Sequence, residues 1–375
     1  MTLDLSQIKR AFIITDTHLG VRNNSNEWIE IHRKFFFEWF IPLCRKNYKK
    51  GDCLVHLGDV FDSRQSLNLK VLNLGIEIFE ELSSIFHDGI YIICGNHDIY
   101  GKNSNEINSL KALKWIPGIS IYEEPISIKF GEKSVFMMPW RKDHEEESSC
   151  LKNIDSHDYL FCHTDIRGLM FNRFTKIDEG ISYQDLDKFE RVYSGHVHYS
   201  QQYGKVRMLG SPYQLTRSDS ENIKGITILD FVSGDEKFFE NSISPKFIRI
   251  PFERVLNSTP PELNSLFENN LVDILIDPQI AVKCPLGILG DMISSPIKIT
   301  FTPISNIEEG MDSEDLIFDL EGKNFSILEL VNEYLKSTNF DDDKKDKIFK
   351  TIKILYNKIS TDQTKEEQKD EDTED

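Results

Sequence analysis

The sequence predicts an α/β protein of two packed sheets with helices outside them, a four-layer αββα sandwich, with a small α+β cap and a C-terminal helical hairpin. Three observations support this fold class. Five short apolar runs each end in a polar cluster, helical stretches separate the first three runs, and beyond about residue 119 short strands with tight turns follow. Alternation of strands and helices predicts a sheet whose polar residues gather at the carboxyl ends of its strands.

The five runs are apolar throughout, which is typical of central strands covered on both faces. They are AFIIT before Asp16, CLVHL before Gly58, IYIIC before Gly95, YLFC before His163 and VYS before Gly195. Helices are predicted at about Glu27–Lys46, where Pro42 should kink or shorten the helix, and at about Leu67–Phe86. GITILDF and FGEKSVF are predicted to be hairpin members of a second, more antiparallel sheet.

Changes in pattern divide the chain into four predicted parts. Residues 1–244 contain the five runs, and residues 245–322 form a cap in which KFIRIPF, LVDILI and IKITF accompany a helical stretch. Residues 323–360 contain two amphipathic helices, at about Ser326–Leu335 and Lys344–Ile359. Residues 361–375 hold eight acidic residues and two lysines, which predicts a solvated, disordered tail.

Composition limits the classes of function. The 375 residues carry a net charge of −18, of which −12 remains without the tail, so a nucleic-acid face would have to be locally positive. The six cysteines form no CxxC pair, and three lie inside apolar runs, which indicates a reducing compartment. Neither a membrane span of roughly 18 apolar residues nor a signal peptide is recognisable, so we expect a cytoplasmic protein, in the host cytoplasm if it is viral.

Polar side chains of a few types follow all five runs. They are Asp16 and His18, then GDVFD (58–62), GNHD (95–98), His163 and GHVH (195–198). Aspartate, asparagine and histidine without cysteine suit Mn²⁺, Fe²⁺ or Zn²⁺. One ion rarely needs seven protein ligands, but two ions roughly 3.5–4 Å apart and bridged by a carboxylate would use them. Gly58, Gly95 and Gly195, each beside a predicted ligand, allow a sharp turn and a close backbone approach.

Singly, these motifs have ordinary explanations, such as a solvated loop, a turn or a hydrogen-bonded histidine at a strand end. In order, DTHLG, GDVFD, GNHD, a strand-end histidine and GHVH resemble the calcineurin-like metallophosphoesterases. The resemblance implies in-line attack of an activated water on phosphorus, His97 as general acid, and Asp62 and Asp98 as residues that orient His97 or a ligand imidazole. It implies that Asp16, His18 and His198 hold one ion, that Asn96, His163 and His196 hold the other, and that Asp59 bridges them.

A narrower resemblance concerns the substrate. The chain lacks the GDxxDRG and GNHE motifs typical of Ser/Thr phosphatases. DTHLG, GDVFDSR and LGSPYQLTRSD are instead similar to SbcD-type nuclease subunits of double-strand-break repair complexes, including those of T-even phage recombination endonucleases. The resemblance covers most of residues 10–358. It implies a DNA exo/endonuclease that acts at DNA ends in recombination, repair or replication, with Mn²⁺ as metal and Mg²⁺, Fe²⁺ or Zn²⁺ as alternatives.

Basic and aromatic residues near the ligands support a polyanionic substrate independently of the family. In DIRGLMFNRFTK, which directly follows His163, Phe171 and Phe174 could stack on frayed bases. An ordinary charged loop would have the same composition. The predicted DNA contacts are Arg22, Arg64, Lys102, Arg167, Arg173 and Lys176. Because the chain is net negative, binding should depend strongly on salt and divalent metal.

The C-terminal helices have two interpretations. They pack on their own domain, or they dock on a partner because so short a hairpin cannot bury its apolar faces alone. The resemblance favours docking on the coiled-coil base of an SMC-like ATPase, through Leu330, Tyr334, Ile348, Phe349, Ile352 and Leu355. It also implies homodimerisation through the N-terminal domain, to which the helix around Phe35–Phe40 could contribute, although its residues suit the core better.

Two other functions fit the same sequence. A metallophosphoesterase for a small nucleotide or a cyclic nucleotide would have a closed pocket and no activity on duplex ends. A non-catalytic DNA-end scaffold that regulates the ATPase would have no need to keep seven ligands.

Overall fold

The computed structural model describes residues 2–100, 105–276, 297–303 and 345–350. By compactness the chain divides into two units, residues 1–312 and 313–375. In the second unit only residues 345–350 are described, and these are helical. No helix in the described part of the chain is long and apolar enough to cross a membrane.

The described residues form sixteen strands, numbered here in chain order. They are β1 Thr2–Leu5, β2 Arg10–Ile14, β3 Asp52–His56, β4 Ile90–Ile93, β5 Ile119–Tyr122, β6 Ile126–Phe130, β7 Lys133–Met138, β8 His157–His163, β9 Phe189–Gly195, β10 Gln201–Tyr203, β11 Val206–Met208, β12 Gly225–Asp230, β13 Glu236–Glu240, β14 Phe247–Pro251, β15 Leu271–Ile276 and β16 Lys298–Pro303. The α-helices of the first unit that are longer than one turn are α1 Asn26–Lys34, α2 Ile41–Asn47, α3 Leu69–Ser83, α4 His144–Asn153, α5 Phe252–Asn257 and α6 Pro260–Phe267.

The strands form three sheets. Sheet 1 has the order β13-β12-β2-β3-β4-β5, sheet 2 the order β1-β6-β7-β8-β9-β11-β10, and sheet 3 the order β14-β15-β16. In sheet 1 the strands from β2 to β5 are parallel, and in sheet 2 β7, β8, β9 and β11 are parallel. The loops that follow β2, β3 and β4 therefore leave one edge of sheet 1, and those after β8 and β9 leave one edge of sheet 2.

Successive residues of a strand point to opposite faces of its sheet, so alternate side chains of one strand belong to different buried clusters. Ile13 and Val55 of sheet 1 and Phe161 of sheet 2 belong to one buried cluster between the sheets. On the other face of sheet 2, Leu160 joins a cluster with Leu151 of α4. On the other face of sheet 1, Phe12 packs edge-to-face on Phe86 beyond α3, with ring centroids 5.1 Å apart. The predicted α/β fold, two sheets with helices outside, is confirmed.

The placement of GITILDF differs from the prediction. This segment is β12, and it lies in sheet 1, antiparallel to β2, with Thr227 opposite Ile13 and Leu229 opposite Ala11. FGEKSVF does form a hairpin of sheet 2, between β6 and β7. The predicted hairpin is confirmed, since β12 pairs antiparallel with β13. Its assignment to the second sheet was wrong, because alternation shows which face of a strand is buried but not which strand it pairs with.

The helix predicted over Glu27–Lys46 contains a local widening. α1 continues into a π-helical segment, Phe35–Phe40, and Pro42 then lies in the first turn of α2. A proline has no backbone N–H to donate, so it is tolerated where a new helical turn begins. The π segment makes that new start without breaking the helix. Its residues Phe35, Phe36 and Phe40 are buried.

Sheet 3 lies within the range predicted for the cap. β14, β15 and β16 are parallel. α5 and α6 connect β14 to β15, and Phe252, Leu263 and Phe267 pack with Ile250 and Ile274 in a separate small core. The two C-terminal helices predicted beyond residue 322 lie outside the described residues, except for 345–350.

Candidate metal centre

The predicted ligands lie at the carboxyl ends of parallel strands in sheets 1 and 2, where the loops that follow these strands meet. Sheet 1 supplies Asp16 and His18 after β2, Asp59 after β3 and Asn96 after β4, and sheet 2 supplies His163, His196 and His198 from β8 and the loop after β9. Backbone hydrogen bonds join the loops: Asp16 N–H donates to Gly58 O at 3.0 Å, and His18 N–H donates to Asp59 O at 3.0 Å. The N–H of His196 donates to the carboxylate of Asp16 at 3.1 Å, which connects the two sheets.

Three of the predicted ligands form a first cluster. His18 Nε2 lies 3.0 Å from His198 Nε2 and 3.9 Å from Asp16 Oδ1, and His198 Nε2 lies 4.0 Å from the same oxygen. Two imidazole nitrogens and a carboxylate oxygen thus lie within 4.0 Å of one another. This arrangement could hold a metal ion.

The other four predicted ligands form a second cluster beside it. His163 Nε2 lies 3.3 Å from Asp59 Oδ2, and Asn96 Oδ1 lies 3.1 Å from His163 Nε2 and 2.7 Å from His196 Nδ1. Asp59 Oδ2 also lies 3.5 Å from His18 Nε2, in the first cluster. One Asp59 oxygen therefore faces both clusters, which is the position required of a bridging carboxylate. Oxygen and nitrogen donors without sulfur fit two borderline or hard divalent ions.

Several of the predicted ligands lie on strained backbone. Asp16, His18, Asp59 and His196 have φ of 52°, 42°, 55° and 77°, in the left-handed region that non-glycine residues rarely adopt. Each such residue costs on the order of 1–3 kcal/mol and persists only where surrounding contacts enforce it. The neighbouring Gly58, with φ of 92°, has no room for a side chain, since a Cβ there would lie 2.6 Å from His163 Nδ1. Ligand placement is thus maintained against local conformational preference.

The electrostatic field of the centre favours cations. Burial opposes protonation of His18, but the Asp62 hydrogen bond and the charges of Asp59 and Asp16 outweigh burial and raise its pKa to about 8. Burial likewise opposes protonation of His163, yet Asp59 and Asp16 raise its pKa to about 9. A field that holds protons on two buried imidazoles also attracts divalent metal ions.

His97 lies beside the ligands and is oriented by the loop after β3. Its Nδ1 lies 2.8 Å from the carbonyl oxygen of Asp62, and its Nε2 lies 2.7 Å from Arg64 Nη2. The ring therefore donates from Nδ1 and accepts from the guanidinium at Nε2. Burial lowers the pKa of His97 to about 4, and the positive charges of His18 and Arg64 act in the same direction.

The two aspartates predicted to orient imidazoles differ from each other. Asp62 Oδ1 lies 3.0 Å from His18 Nδ1, so its carboxylate supports a ligand while its carbonyl orients His97. Asp98 accepts four backbone N–H groups, from Asp59, Val60, Phe61 and Gly95, at 2.8–3.2 Å. Asp98 thus orders the loop of Asp59, the predicted bridging residue, and its predicted role in orienting an imidazole stays a prediction.

A comparison with known sequences decides the family. Residues 9–200, just over half of the chain, match the family described as calcineurin-like phosphoesterase. The chain belongs to this family. It is therefore a metal-dependent phosphoesterase, a hydrolase whose family uses divalent metal ions, and the described clusters are where such ions could bind.

One curated relative of this phosphoesterase is described as exonuclease subunit 1 of Enterobacteria phage T4. It is 28% identical over 244 residues, which cover 64% of this chain and 70% of the relative. Among solved structures, a novel archaeal phosphodiesterase has a TM-score of 0.32 and 15% identity, covering 62% of this chain and 99% of that one. A protein of unknown function from Aquifex aeolicus has a TM-score of 0.26 and 19% identity, covering 48% and 93%. At these TM-scores the structural likenesses carry no functional conclusion.

Some contacts of the phosphoesterase centre escaped the sequence analysis. Asp165 Oδ2 lies 3.1 Å from His196 Nε2, so a carboxylate supports the nitrogen opposite the Nδ1 that faces the second cluster. Lys224 is buried, and its Nζ donates to the carbonyl of His198 at 2.5 Å and to Asp219 at 2.6 Å. Asp165 had a signal in the sequence, as the second residue after His163. Lys224 had none, because its partner is 26 positions away.

The predicted DNA contacts are dispersed. Arg64 lies inside the centre against His97, and Arg22 donates to the carbonyl of Leu215 at 3.2 Å. Lys102 lies outside the described residues. Arg167, Arg173 and Lys176 are exposed on one segment after β8. Arg167 also lines an open groove of about 700 Å³ together with Arg141, Lys142 and His144, but four acidic residues line the same groove, so it is not a positive surface.

Of the predicted partner contacts, two are described. Ile348 and Phe349 lie in the helical segment 345–350, and both are partly exposed. The other four, Leu330, Tyr334, Ile352 and Leu355, lie outside the described residues.

Proposed function

We propose that this phosphoesterase is a Mn²⁺-dependent DNA exo/endonuclease that hydrolyses phosphodiester bonds at DNA ends in recombination, repair or replication. The observation that carries the chemistry is the pair of ligand clusters that share Asp59. The relative described as an exonuclease subunit supports DNA as the substrate. The side chains of His196 and His198 are partly exposed, so the centre is open to solvent. An open centre fits a large substrate better than a small one, for which a closed pocket is expected.

The roles follow the geometry. Asp16, His18 and His198 would hold one ion and Asn96, His163 and His196 the other, with Asp59 between them. Two bound ions would supply a nucleophile at neutral pH and neutralise charge on the phosphoryl oxygens. The protein fixes that arrangement through the strained loops and through the carboxylates that accept from ligand imidazoles.

His97 is proposed to protonate the departing oxygen from Nε2. In the free protein Nε2 accepts from Arg64, and Nδ1 donates to the Asp62 carbonyl. A phosphate that binds Arg64 would draw the guanidinium away from Nε2 and place negative charge beside the ring. That change favours a proton on Nε2, which is where a general acid must carry it.

The decisive experiment compares His97→Ala with His87→Ala on end-labelled duplex DNA with Mn²⁺, Mg²⁺ or no metal. His87 is an exposed histidine outside the centre and is the matched control. We expect Mn²⁺-dependent degradation by the wild type and by His87→Ala, and a loss of about 10²–10⁴-fold in His97→Ala at unchanged metal content and melting temperature. Full activity of His97→Ala would refute the assigned acid.

The same assay tests the alternatives. Rapid hydrolysis of cyclic nucleotides without any action on duplex DNA would favour the small-substrate enzyme. Undetectable hydrolysis of either substrate, together with DNA-end binding, would favour the scaffold.

We further propose the cap at 245–322, the helical partner segment at 323–360 and the acidic tail at 361–375 as functional divisions. An SMC-like coiled-coil ATPase would bind the helical segment, and the relative's description as a subunit supports the existence of a partner. Ile348→Asp combined with Phe349→Asp should abolish co-purification with such an ATPase and leave Mn²⁺-dependent nuclease activity intact.

The chain is also proposed to form a homodimer through its N-terminal domain. Light scattering of the purified chain tests this proposal.

A further inference from the structure

A small hairpin projects from the chain between the ligands His163 and His196. Met170 and Lys176 form an antiparallel bridge, and Phe171 N–H donates to Thr175 O at 2.8 Å. At the tip, Asn172 Oδ1 accepts from the N–H groups of Phe174 and Thr175 at 2.8 and 2.9 Å. Local hydrogen bonds thus define the backbone of Met170–Lys176, the end-binding hairpin.

The base of the hairpin is fastened to both ligand segments of sheet 2. On one side Asp165, five residues before Met170, contacts His196. On the other side the amide of Gln201 pairs with the backbone of Met170: Met170 N–H donates to Gln201 Oε1 at 2.9 Å, and Gln201 Nε2 donates to Met170 O at 2.5 Å. Gln201 lies three residues after His198. The position of the tip is therefore tied to the metal centre.

The tip exposes two aromatic rings on a segment whose charged side chains are all basic. Phe171 is 41% exposed and Phe174 is 60% exposed. The stretch from Ile166 to Ile177 contains three basic residues and no acidic one, although the whole chain carries a charge of −18. Arg173 lies over the Phe174 ring at 5.6 Å and pairs with Glu221 at 2.8 Å.

Isolated exposed hydrophobic side chains are common and need no explanation. Two exposed rings on one ordered seven-residue hairpin, with three basic and no acidic residues between Ile166 and Ile177 and a connection to the catalytic loops, are a more specific combination. Aromatic rings flanked by basic side chains match the chemistry of single-stranded nucleic acid, because every base has a π face and every nucleotide carries a phosphate. A neutral apolar partner would not require the charge.

We infer that the end-binding hairpin is a stacking platform for the unpaired nucleotide at a DNA end. Phe171 and Phe174 take the base, and Arg167 and Lys176 contact the flanking phosphates. This inference rests on the proposed nuclease function and adds to it a preference for ends that are frayed. The hairpin would hold the last base out of the duplex while its strand lies across the metal centre.

The test measures binding of the full chain to two duplexes of equal length by fluorescence anisotropy. One duplex has three unpaired nucleotides at its end, and the other is a covalently closed circle without ends. The wild type should prefer the open end. Phe171→Ala combined with Phe174→Ala should weaken open-end binding by about ten-fold or more and remove the preference.

Matched variants separate stacking from folding. Phe171→Tyr combined with Phe174→Tyr keeps two rings and should retain the preference. Trp115→Ala removes an aromatic side chain that is 88% exposed elsewhere and should change neither affinity. Lys176→Ala should weaken binding to both duplexes. It should also lower the slope of log affinity against log salt concentration by about one, the amount expected for one phosphate contact.

Each remaining outcome overturns a defined claim. If the wild type degrades DNA with Mn²⁺ but the alanine pair keeps its open-end preference, the platform is wrong and the nuclease stands. Equal weakening on both duplexes also overturns the platform, because a closed circle has no end that could offer an unpaired base. If the wild type neither binds nor degrades DNA, the proposed function fails and the platform with it.

Discussion

The two halves of the candidate metal centre are held in different ways. The sheet-1 half consists of Asp16, His18, Asp59 and Asn96, all of them at most 5% exposed. In the sheet-2 half His163 is fully buried, but the side chains of His196 and His198 are 17% and 19% exposed. The sheet-1 half is therefore an enclosed floor, and the two histidines of GHVH form its accessible rim.

The supports of the two halves differ as well. Asp98, which fixes the loop of Asp59, is 1% exposed and binds only backbone amides among the described contacts. Asp165, which supports His196, has a side chain that is 22% exposed. A contact buried in the fold contributes to stability and function together, whereas a contact at the surface can be removed with little effect on the fold. The comparison therefore predicts separable phenotypes.

The largest effect is expected from Asp98→Ala. The substitution leaves four buried N–H groups without their acceptor, and each unsatisfied group costs about 1–3 kcal/mol. Even with partial relaxation we expect a loss of at least about 3 kcal/mol, which corresponds to roughly 5 °C in melting temperature for a chain of this length. Activity and metal content should fall with it. Thermal unfolding and metal analysis measure both, and an unchanged melting temperature would contradict the enclosed floor.

Asp165→Asn tests the rim and should affect function almost alone. The amide keeps the shape of the side chain but removes the negative charge beside His196 Nε2, and loss of such a support typically lowers metal affinity or activity by about 10–100-fold. The melting temperature should stay within about 2 °C of the wild type, because surface substitutions seldom cost more than about 0.5 kcal/mol. Activity measured against Mn²⁺ concentration gives the affinity.

Asp187→Asn is the matched control for that experiment. Its side chain is 75% exposed and lies 3.8 Å from Lys205, outside the centre. A Mn²⁺ dependence of Asp165→Asn equal to that of the control would show that the rim carboxylate does not support the ligand.

The floor and the rim also differ in what the sequence could predict. All seven proposed ligands were predictable because each follows an apolar run within a few residues. Asp62 and Asp98 could be proposed as supports, but the contacts of the supports could not be predicted, because most of them are long-range. Three of the four amides that Asp98 binds lie 37–39 positions earlier along the chain, and Asp165 contacts a histidine 31 positions later. The sheet of β12 was mispredicted for the same reason, since its burial pattern is local but its pairing with β2 spans the chain.

A residue behind the floor gives the smallest expected effect. His32 of α1 is fully buried, its ring lies 5.3 Å from that of Tyr213, and neither ring nitrogen has a hydrogen-bond partner in the described part of the chain. Burial lowers its pKa to about 3. An unfolded histidine has a pKa near 6.5, so between about pH 6.5 and pH 3 the unfolded state binds a proton that the folded state refuses.

His32→Phe should therefore reduce the sensitivity of the fold to acid. Through this residue the free energy of unfolding of the wild type falls by up to about 1.4 kcal/mol per pH unit as the pH drops below about 6.5. The phenylalanine removes that contribution. At pH 7.5 the two proteins should be similar, or the variant slightly more stable, because an unpartnered buried polar group is replaced by a ring of similar size. Urea unfolding at pH 7.5, 6.0 and 5.0 measures the difference, with His87→Phe at an exposed position as the control. A difference between wild type and His32→Phe that does not grow toward pH 5.0 would mean that water or an unseen partner satisfies the imidazole, and that the floor is less enclosed than its ligands indicate.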